Sequence, residues 1–308
     1  MFDKQTVICI VGPTATGKSG LSVALAKHIN GEIISADSMQ IYCGFDVGTA
    51  KIRPQEMGGI PHHMLNIVAA NASFSVAQYC AMARPIMEDI MSRCKVPMLV
   101  GGTGLYIDSL LSAQPFEEMD VDKEYRISLH EKAEKFGNLA VWEDLHQIDP
   151  QWADTLHPNN IRRVIRALEI YRITGKTMTQ YVAQTKGSAS VQSVYIGLTY
   201  ADREKLYDKI NGRVDAMLGN GLLDEIKTLL QQGIPRDCQA MQAIGYKELL
   251  PVIDETMSMD EAVDILKRNS RRYAKRQLTW FKKNDKIHWI HVDQQDPVSE
   301  SKKILNIR

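Results

Sequence analysis

Val7-Ile8-Cys9-Ile10-Val11-Gly12-Pro13-Thr14-Ala15-Thr16-Gly17-Lys18-Ser19 decides the fold. An apolar run is followed by a loop with G-x-x-x-x-G-K-S spacing and then by the helical pattern Leu21–Ala26. Buried strand, tight loop and helix start in that order make a phosphate cradle. Backbone N–H groups of Gly12, Thr14, Ala15, Thr16 and Gly17 line such a loop, which also holds Pro13, a residue without an N–H, and the helix N-terminus points its own donors at the same place. Lys18 adds a charge that reaches phosphate oxygens, and the Ser19 hydroxyl suits Mg²⁺. The loop leaves the reaction open, because a nucleoside triphosphate is only one of several ligands that carry a diphosphate.

Working outward, short apolar runs alternate with helical stretches through the first ~115 residues, the pattern of a parallel α/β sheet. Val7–Val11, Glu32–Ser35 and Val96–Val100 read as strands, and Ser75–Ser92 as a crossover helix. The third strand ends in Gly101-Gly102-Thr103-Gly104, a second glycine-rich turn at a strand's carboxyl end, where ligands of open α/β sheets bind. Asp122–Phe136, Leu139–Gln147 and Ile161–Thr174 then follow as helices with no strand between them. Ser193–Leu198 resumes the sheet, Arg203–Gln232 and Asp260–Lys283 read as long helices, and Ile287–Val292 as a last strand. The fold class expected is α/β, a P-loop NTPase-like parallel sheet flanked by helices. Residues 1–115 and 190–308 would form its core, and 116–189 an all-helical insertion.

The 308 residues are 44% hydrophobic and 24% charged, with a net charge of zero, the composition of a globular protein. No apolar run approaches the ~20 residues that cross a bilayer, and the N-terminal residues lack a signal-peptide pattern. Five scattered cysteines without a C-x-x-C pair read as reduced thiols, so a cytoplasmic location is expected. Charge is unevenly spread: nine Lys and Arg between Lys267 and Lys286 face the single acid Asp285. That helix suits either a phosphate backbone or plain solvent. Trp280 and Phe281, interleaved in it, read as anchors to the core.

Among residues that could carry chemistry, Asp37 leaves the second strand near the phosphate loop and suits three jobs: Mg²⁺ ligand, general base or helix N-cap. A Walker-B-type acid is missing, because Pro97–Val100 fits that strand yet ends in Gly-Gly-Thr. Arg213 alone reads as a surface arginine, Gly44–Lys51 as a connecting loop and Pro61-His62-His63 as loop residues. Asn160 reads as the N-cap of the helix carrying Arg162, Arg163 and Arg166.

The chain resembles the bacterial tRNA dimethylallyltransferases (tRNA isopentenyltransferases). The resemblance rests on GPTATGKS (12–19), ISADSMQIY (34–42), DVGTAK (46–51), PHH (61–63), PMLVGGTGLY (97–106), HPNN with RRVIRALE (157–169), GLLDEI (221–226), AIGYKEL (243–249) and AKRQLTWF (274–281). It implies transfer of a dimethylallyl group from dimethylallyl diphosphate to N6 of the adenosine 3′-adjacent to the anticodon, in tRNAs reading codons that begin with U. It further implies Asp37 as base, with Thr103 and Arg213 beside it, and Gly12–Ser19 on the diphosphate with Mg²⁺ at Ser19. The tRNA contacts implied are Asp37, Ser38, Met39, Gln40, Thr103, Arg126, Arg162, Arg163, Arg166, Gly245, Lys247, Arg271 and Arg272. The partners expected are the tRNA anticodon stem-loop and dimethylallyl diphosphate, with no membrane and no obligate protein partner, the chain acting as a monomer. An adenylate isopentenyltransferase and a P-loop small-molecule kinase are the alternatives.

Overall fold

The computed structural model describes residues 6–112, 122–185 and 191–307. These fall into two compact units, one within 1–111 and 191–308, the other within 112–190. The expected boundaries at 115/116 and 189/190 lie outside the described residues.

The first unit holds β1 (Thr6–Val11), α1 (Lys18–Ile29), β2 (Gly31–Ser35), β3 (His62–His63), α2 (Val76–Ser92), β4 (Val96–Gly101) and α3 (Gly104–Leu111). The helical unit is α4 (Lys123–Phe136), α5 (Asn138–Ile148), α6 (Pro150–Ala153), α7 (Ile161–Thr174) and α8 (Met178–Thr185). The first unit resumes with β5 (Gln192–Thr199), α9 (Arg203–Gly219), α10 (Leu222–Gln231), α11 (Leu250–Ile253), α12 (Met259–Phe281), β6 (Ile287–His291) and α13 (Pro297–Ile304). The strands form one parallel sheet in the order β3-β2-β4-β1-β5-β6. A central parallel strand is covered on both faces, which is why β1 is apolar at every step from Val7 to Val11. Its side chains alternate: Val7, Cys9 and Val11 enter the core under α2 and α3, while Ile8 and Ile10 enter the one under α1. A third cluster (Ile41, Tyr42, Phe45, Ile226, Tyr246, Leu266) packs α10 and the start of α12 against the loops after β2.

Three local expectations need correction. Arg203–Gln232 is two helices, broken at Asn220-Gly221, where Gly221 has φ +90° and caps α10. Pro61-His62-His63 is not a bare loop, since His62-His63 add a short edge strand to β2. Asn160 precedes α7, but its side chain makes no capping hydrogen bond. In the helical unit Leu129, Val141, Leu145, Ile165 and Leu168 form the core. There the fully buried Glu169 carboxylate takes Arg126 in a two-point pair, with Arg166 at 3.4 Å.

Candidate active site in the first unit

The phosphate loop is shaped by its glycines. Gly12 sits at φ +134°, and a Cβ there would come within 2.3 Å of the Leu198 carbonyl oxygen. Gly17, at φ +83°, caps α1 without a side chain, so the N–H groups of the first turn stay open for a ligand. Inside the loop, Thr16 Oγ1 and Lys18 Nζ both donate to the Pro13 carbonyl, at 2.9 and 2.6 Å.

A cavity of about 550 Å³ opens in front of this loop, at the carboxyl edge of the sheet. Its walls are residues 14–20, the turn 37–40, the loop 48–50, the β4 end at 100–102, one face of α9, the segment 242–244 with Lys247, and the inner face of α12. Four cations, Lys18, Arg213, Lys247 and Arg276, line it against one carboxylate, Asp37. That balance selects an anion.

Burial and the neighbouring Arg213 lower the Lys18 ammonium from its ordinary value to about 7, with Asp37 opposing them. Burial lowers the Arg213 guanidinium as well, again with Asp37 opposing. Both cations are thus held in a place that disfavours their charge until an anion arrives.

Asp37 follows β2, and its Oδ1 accepts from the Met39 and Gln40 N–H groups at 2.9 and 3.3 Å. The cap-like role foreseen for Asp37 is therefore real, though it closes a turn and not a helix. Thr103 stands behind the wall: its Oγ1 accepts from the Ser38 N–H at 3.1 Å. Arg213 is no free surface arginine, because its Nη2 donates to the Thr49 carbonyl at 3.0 Å from α9.

Loop 44–51 does more than connect. Glu225 Oε2 accepts from the Asp46 and Val47 N–H groups at 3.0 and 2.8 Å, and Oε1 accepts from Gly48 N–H and the Tyr246 hydroxyl. Lys51, 9% exposed, donates to Tyr42 O, Asp46 Oδ1 and Asn66 Oδ1. This fastened loop carries the carbonyl that holds Arg213.

The sequence-derived residues thus divide. Thr14–Ser19, Asp37–Gln40, Arg213 and Lys247 meet at one cavity, with Gly12 and Pro13 buried behind the loop and Thr103 behind the wall. Gly245, at φ +106°, donates its N–H to Glu248 and is not in the lining. Arg271 donates to Asn211 Oδ1 at 2.7 Å, and Arg272 is exposed on α12. Arg162 and Arg163 are exposed on α7, whereas Arg126 and Arg166 are engaged by Glu169. Phe281 is core, and Trp280 packs against it while donating to Asp108 Oδ2 at 2.8 Å.

Sequence reasoning missed Gln277, which lines the cavity, and Glu225, which fastens loop 44–51 beside it; Tyr273, interleaved in the basic helix as a residue to stack on bases or anchor the helix, lines the cavity too. A signal for Gln277 and Trp280 was present in Gly102 and Gly104. Neither has positive φ; a Cβ at Gly102 would lie 1.9 Å from Gln277 Nε2, and one at Gly104 2.2 Å from Trp280 Cδ1. These glycines admit α12, so a tight turn is not their reason.

Among the described residues no cluster of three His, Cys, Asp or Glu side chains could cage a metal. Exposed Ser19 at the cavity fits a cation that leans mainly on substrate oxygens and water, as Mg²⁺ does. No helix of the described residues is long and apolar enough to cross a membrane.

Comparison with known proteins agrees with this geometry. The IPP transferase family model matches residues 40–284, and the isopentenyl transferase model matches residues 5–67. A tRNA dimethylallyltransferase of Anoxybacillus flavithermus is 51% identical over 288 residues, covering 94% of this chain and 91% of that protein. The one from Bacillus subtilis is 50% identical over 295 residues, covering 96% and 93%. The solved tRNA isopentenylpyrophosphate transferase of Bacillus halodurans superposes with a TM-score of 0.71 at 46% identity, covering 98% of this chain and 94% of that one. A solved eukaryotic dimethylallyltransferase acting on tRNA gives 0.82 at 30% identity, covering 99% and 80%.

Proposed function

We infer function from this premise: the chain belongs to the IPP transferase family. It is a transferase that prenylates tRNA, moving a dimethylallyl group from dimethylallyl diphosphate to N6 of the adenosine 3′-adjacent to the anticodon in tRNAs reading codons that begin with U. The observation that carries the chemistry is the cavity itself, which joins a phosphate loop to one carboxylate and leaves out an acid at the end of β4. No γ-phosphate has to be attacked when the diphosphate is a leaving group.

In the reaction we propose, the open amides of the loop, Lys18 and Arg213 hold the diphosphate. As the bond from C1 to the diphosphate oxygen breaks, negative charge grows on the leaving group where these donors already point. Ser19 would hold Mg²⁺, which when bound would supply further neutralisation of that charge. The adenine amine is a weak nucleophile because its lone pair is delocalised into the ring. Asp37 accepts its proton as the C–N bond forms. Ser38 and Thr103 hold the Asp37 turn, and Met39 and Gln40 grip the adenine, which has to leave its stack to arrive. Arg162 and Arg163, with Arg272 and Lys247, contact tRNA phosphates and position the anticodon stem-loop. Arg126 and Arg166 shape the helical unit's own contact surface through Glu169, and Gly245 and Arg271 support the contacts of the first unit.

The chain works as a monomer in the cytoplasm, in keeping with its five free cysteines. The test is incubation with labelled dimethylallyl diphosphate and either unmodified tRNA or AMP. Label in tRNA is expected; label only in AMP would identify an adenylate isopentenyltransferase. Phosphoryl transfer from ATP in place of either would identify a kinase.

A further inference from the structure

We propose that Gln277 is a positioning residue that sets the distance between the donor half and the acceptor half of the site. The inference rests on the prenyl-transfer reading above. Gln277 projects from α12 into the gap between the two loops and is 6% exposed. Its Oε1 accepts the Thr14 N–H of the phosphate loop at 2.9 Å, and its Nε2 donates to the Gly102 carbonyl at 3.1 Å. One carboxamide therefore ties the loop that holds diphosphate to the loop that carries Thr103. Thr103 in turn accepts from the Ser38 N–H, next to Asp37, and Tyr273, one turn earlier on α12 than Gln277, lines the same cavity. Gly102 is the counterpart of this arrangement, since any side chain there would occupy the place of Nε2.

Both bonds use the full bifunctionality of an amide, one acceptor and one donor. Glutamate has the same shape, but as an anion it can only accept and would face the Gly102 carbonyl oxygen with an oxygen. As a neutral acid it regains a donor. Lys18, Asp37, Arg213, Lys247, Tyr273 and Arg276 line the same cavity, so the pH response is read as the ratio of variant to wild type.

A displacement of ~1 Å between reacting groups costs on the order of 10²-fold in rate. For Gln277→Glu we expect kcat at pH 8 to fall at least about tenfold. Binding of inorganic diphosphate and of tRNA, measured separately, should stay within about threefold. The ratio of variant to wild-type kcat should climb as pH falls toward 6. A purely structural role would not produce that recovery.

Gly102→Ala supplies a second arm that does not depend on the first variant folding. It should lower kcat in the wild-type background and have little further effect in Gln277→Ala, where the colliding amide is gone. A Gln277→Glu enzyme with wild-type kcat, a ratio flat in pH, or additive effects of Gly102→Ala and Gln277→Ala would each overturn the proposal. Wild-type protein that transfers no label to tRNA would instead sink the functional reading, and this inference with it.

Discussion

In the proposed reaction Asp37 has two separable tasks, and replacing it by asparagine divides them. Oδ1 holds the turn through the Met39 and Gln40 N–H groups, while Oδ2 has no hydrogen-bond partner among the described residues. Asparagine can keep the Oδ1 acceptor and put an NH₂ group where Oδ2 was. The turn stays closed and the proton acceptor is lost. Removal of a general base costs about 10²–10⁴-fold, and at 1.36 kcal/mol per tenfold that is about 2.7–5.4 kcal/mol of transition-state stabilisation. Asp37→Ala loses the two turn bonds as well, each worth about 1 kcal/mol net, so it should also melt earlier. The assay is single-turnover transfer of labelled prenyl group to tRNA, with inorganic diphosphate binding measured in parallel. Asp37→Asn should lose at least about 100-fold in rate with diphosphate binding near wild type. A loss below about tenfold would refute the role as base. Diphosphate binding that weakens in step with the rate, and only when Mg²⁺ is present, would refute it in favour of a metal ligand.

Lys18 predicts two pH effects of opposite sign. Diphosphate restores the charge that burial and Arg213 disfavour, so binding takes up protons above about pH 7 and weakens as pH rises; calorimetry at pH 8 in buffers of different ionisation enthalpy should record the uptake. In the ligand-free protein the unfolded chain holds the Lys18 proton between about 7 and the ordinary value of 10.5 while the folded one does not, so this group makes stability rise with pH across that window. Lys18→Met should flatten the rise in urea titrations, and an unchanged slope would count against the lowered value. Glu225→Ala strands three backbone N–H groups and the Tyr246 hydroxyl; it should cost about 3 kcal/mol or more in urea unfolding and lower turnover, because the loop it frees carries the acceptor of Arg213. Arg162→Gln with Arg163→Gln should weaken tRNA binding and reduce the slope of log K against log salt by about 0.7–1.8. A slope equal to wild type would leave these arginines as solvated surface.

The sheet was legible because its signals are local. β1, β2 and β4 are apolar runs ended by glycine, serine or a polar turn, and each lies within one residue of its expected bounds. The break between α9 and α10 was harder to see, because the apolar positions of Leu222, Ile226 and Leu229 continue a helical pattern past Gly221. Gly219-Asn220-Gly221 was nonetheless a breaker signal. The two-residue strand β3 has no periodicity of its own, and only pairing to Ile33 and Ile34 defines it. Lys18 and Asp37 were readable for the same local reason as the sheet, Lys18 opening α1 after the loop that follows β1 and Asp37 standing just past β2. Arg213 came only with the family resemblance, since its neighbours in sequence are ordinary helix and its hold comes from the Thr49 carbonyl, 164 residues away. Gln277 meets Thr14 across 263 residues, and Glu225 meets Val47 across 178. Periodicity records which face of an element is buried, not what a polar side chain on that face will bond.

The residues hidden from sequence share one physical feature. Gln277 and Glu225 hold apart and together the pieces that meet the substrate. A phosphate loop by itself stabilises charge on a diphosphate whether that group arrives, stays or departs. It becomes a device for transfer only when an acceptor is held at a fixed place beside it. Asp37 is held by its own turn, that turn by Thr103, and the Thr103 loop and the phosphate loop by one amide of α12. Arg213 is held by a loop that Glu225 closes. Because Lys18 and Arg213 are disfavoured as bare cations, their attraction to the diphosphate grows as its charge grows, and the gain is largest as the C1 bond breaks. In the proposed reaction Lys18 and Arg213 therefore favour departure of the diphosphate over a ground state in which it still carries the prenyl group.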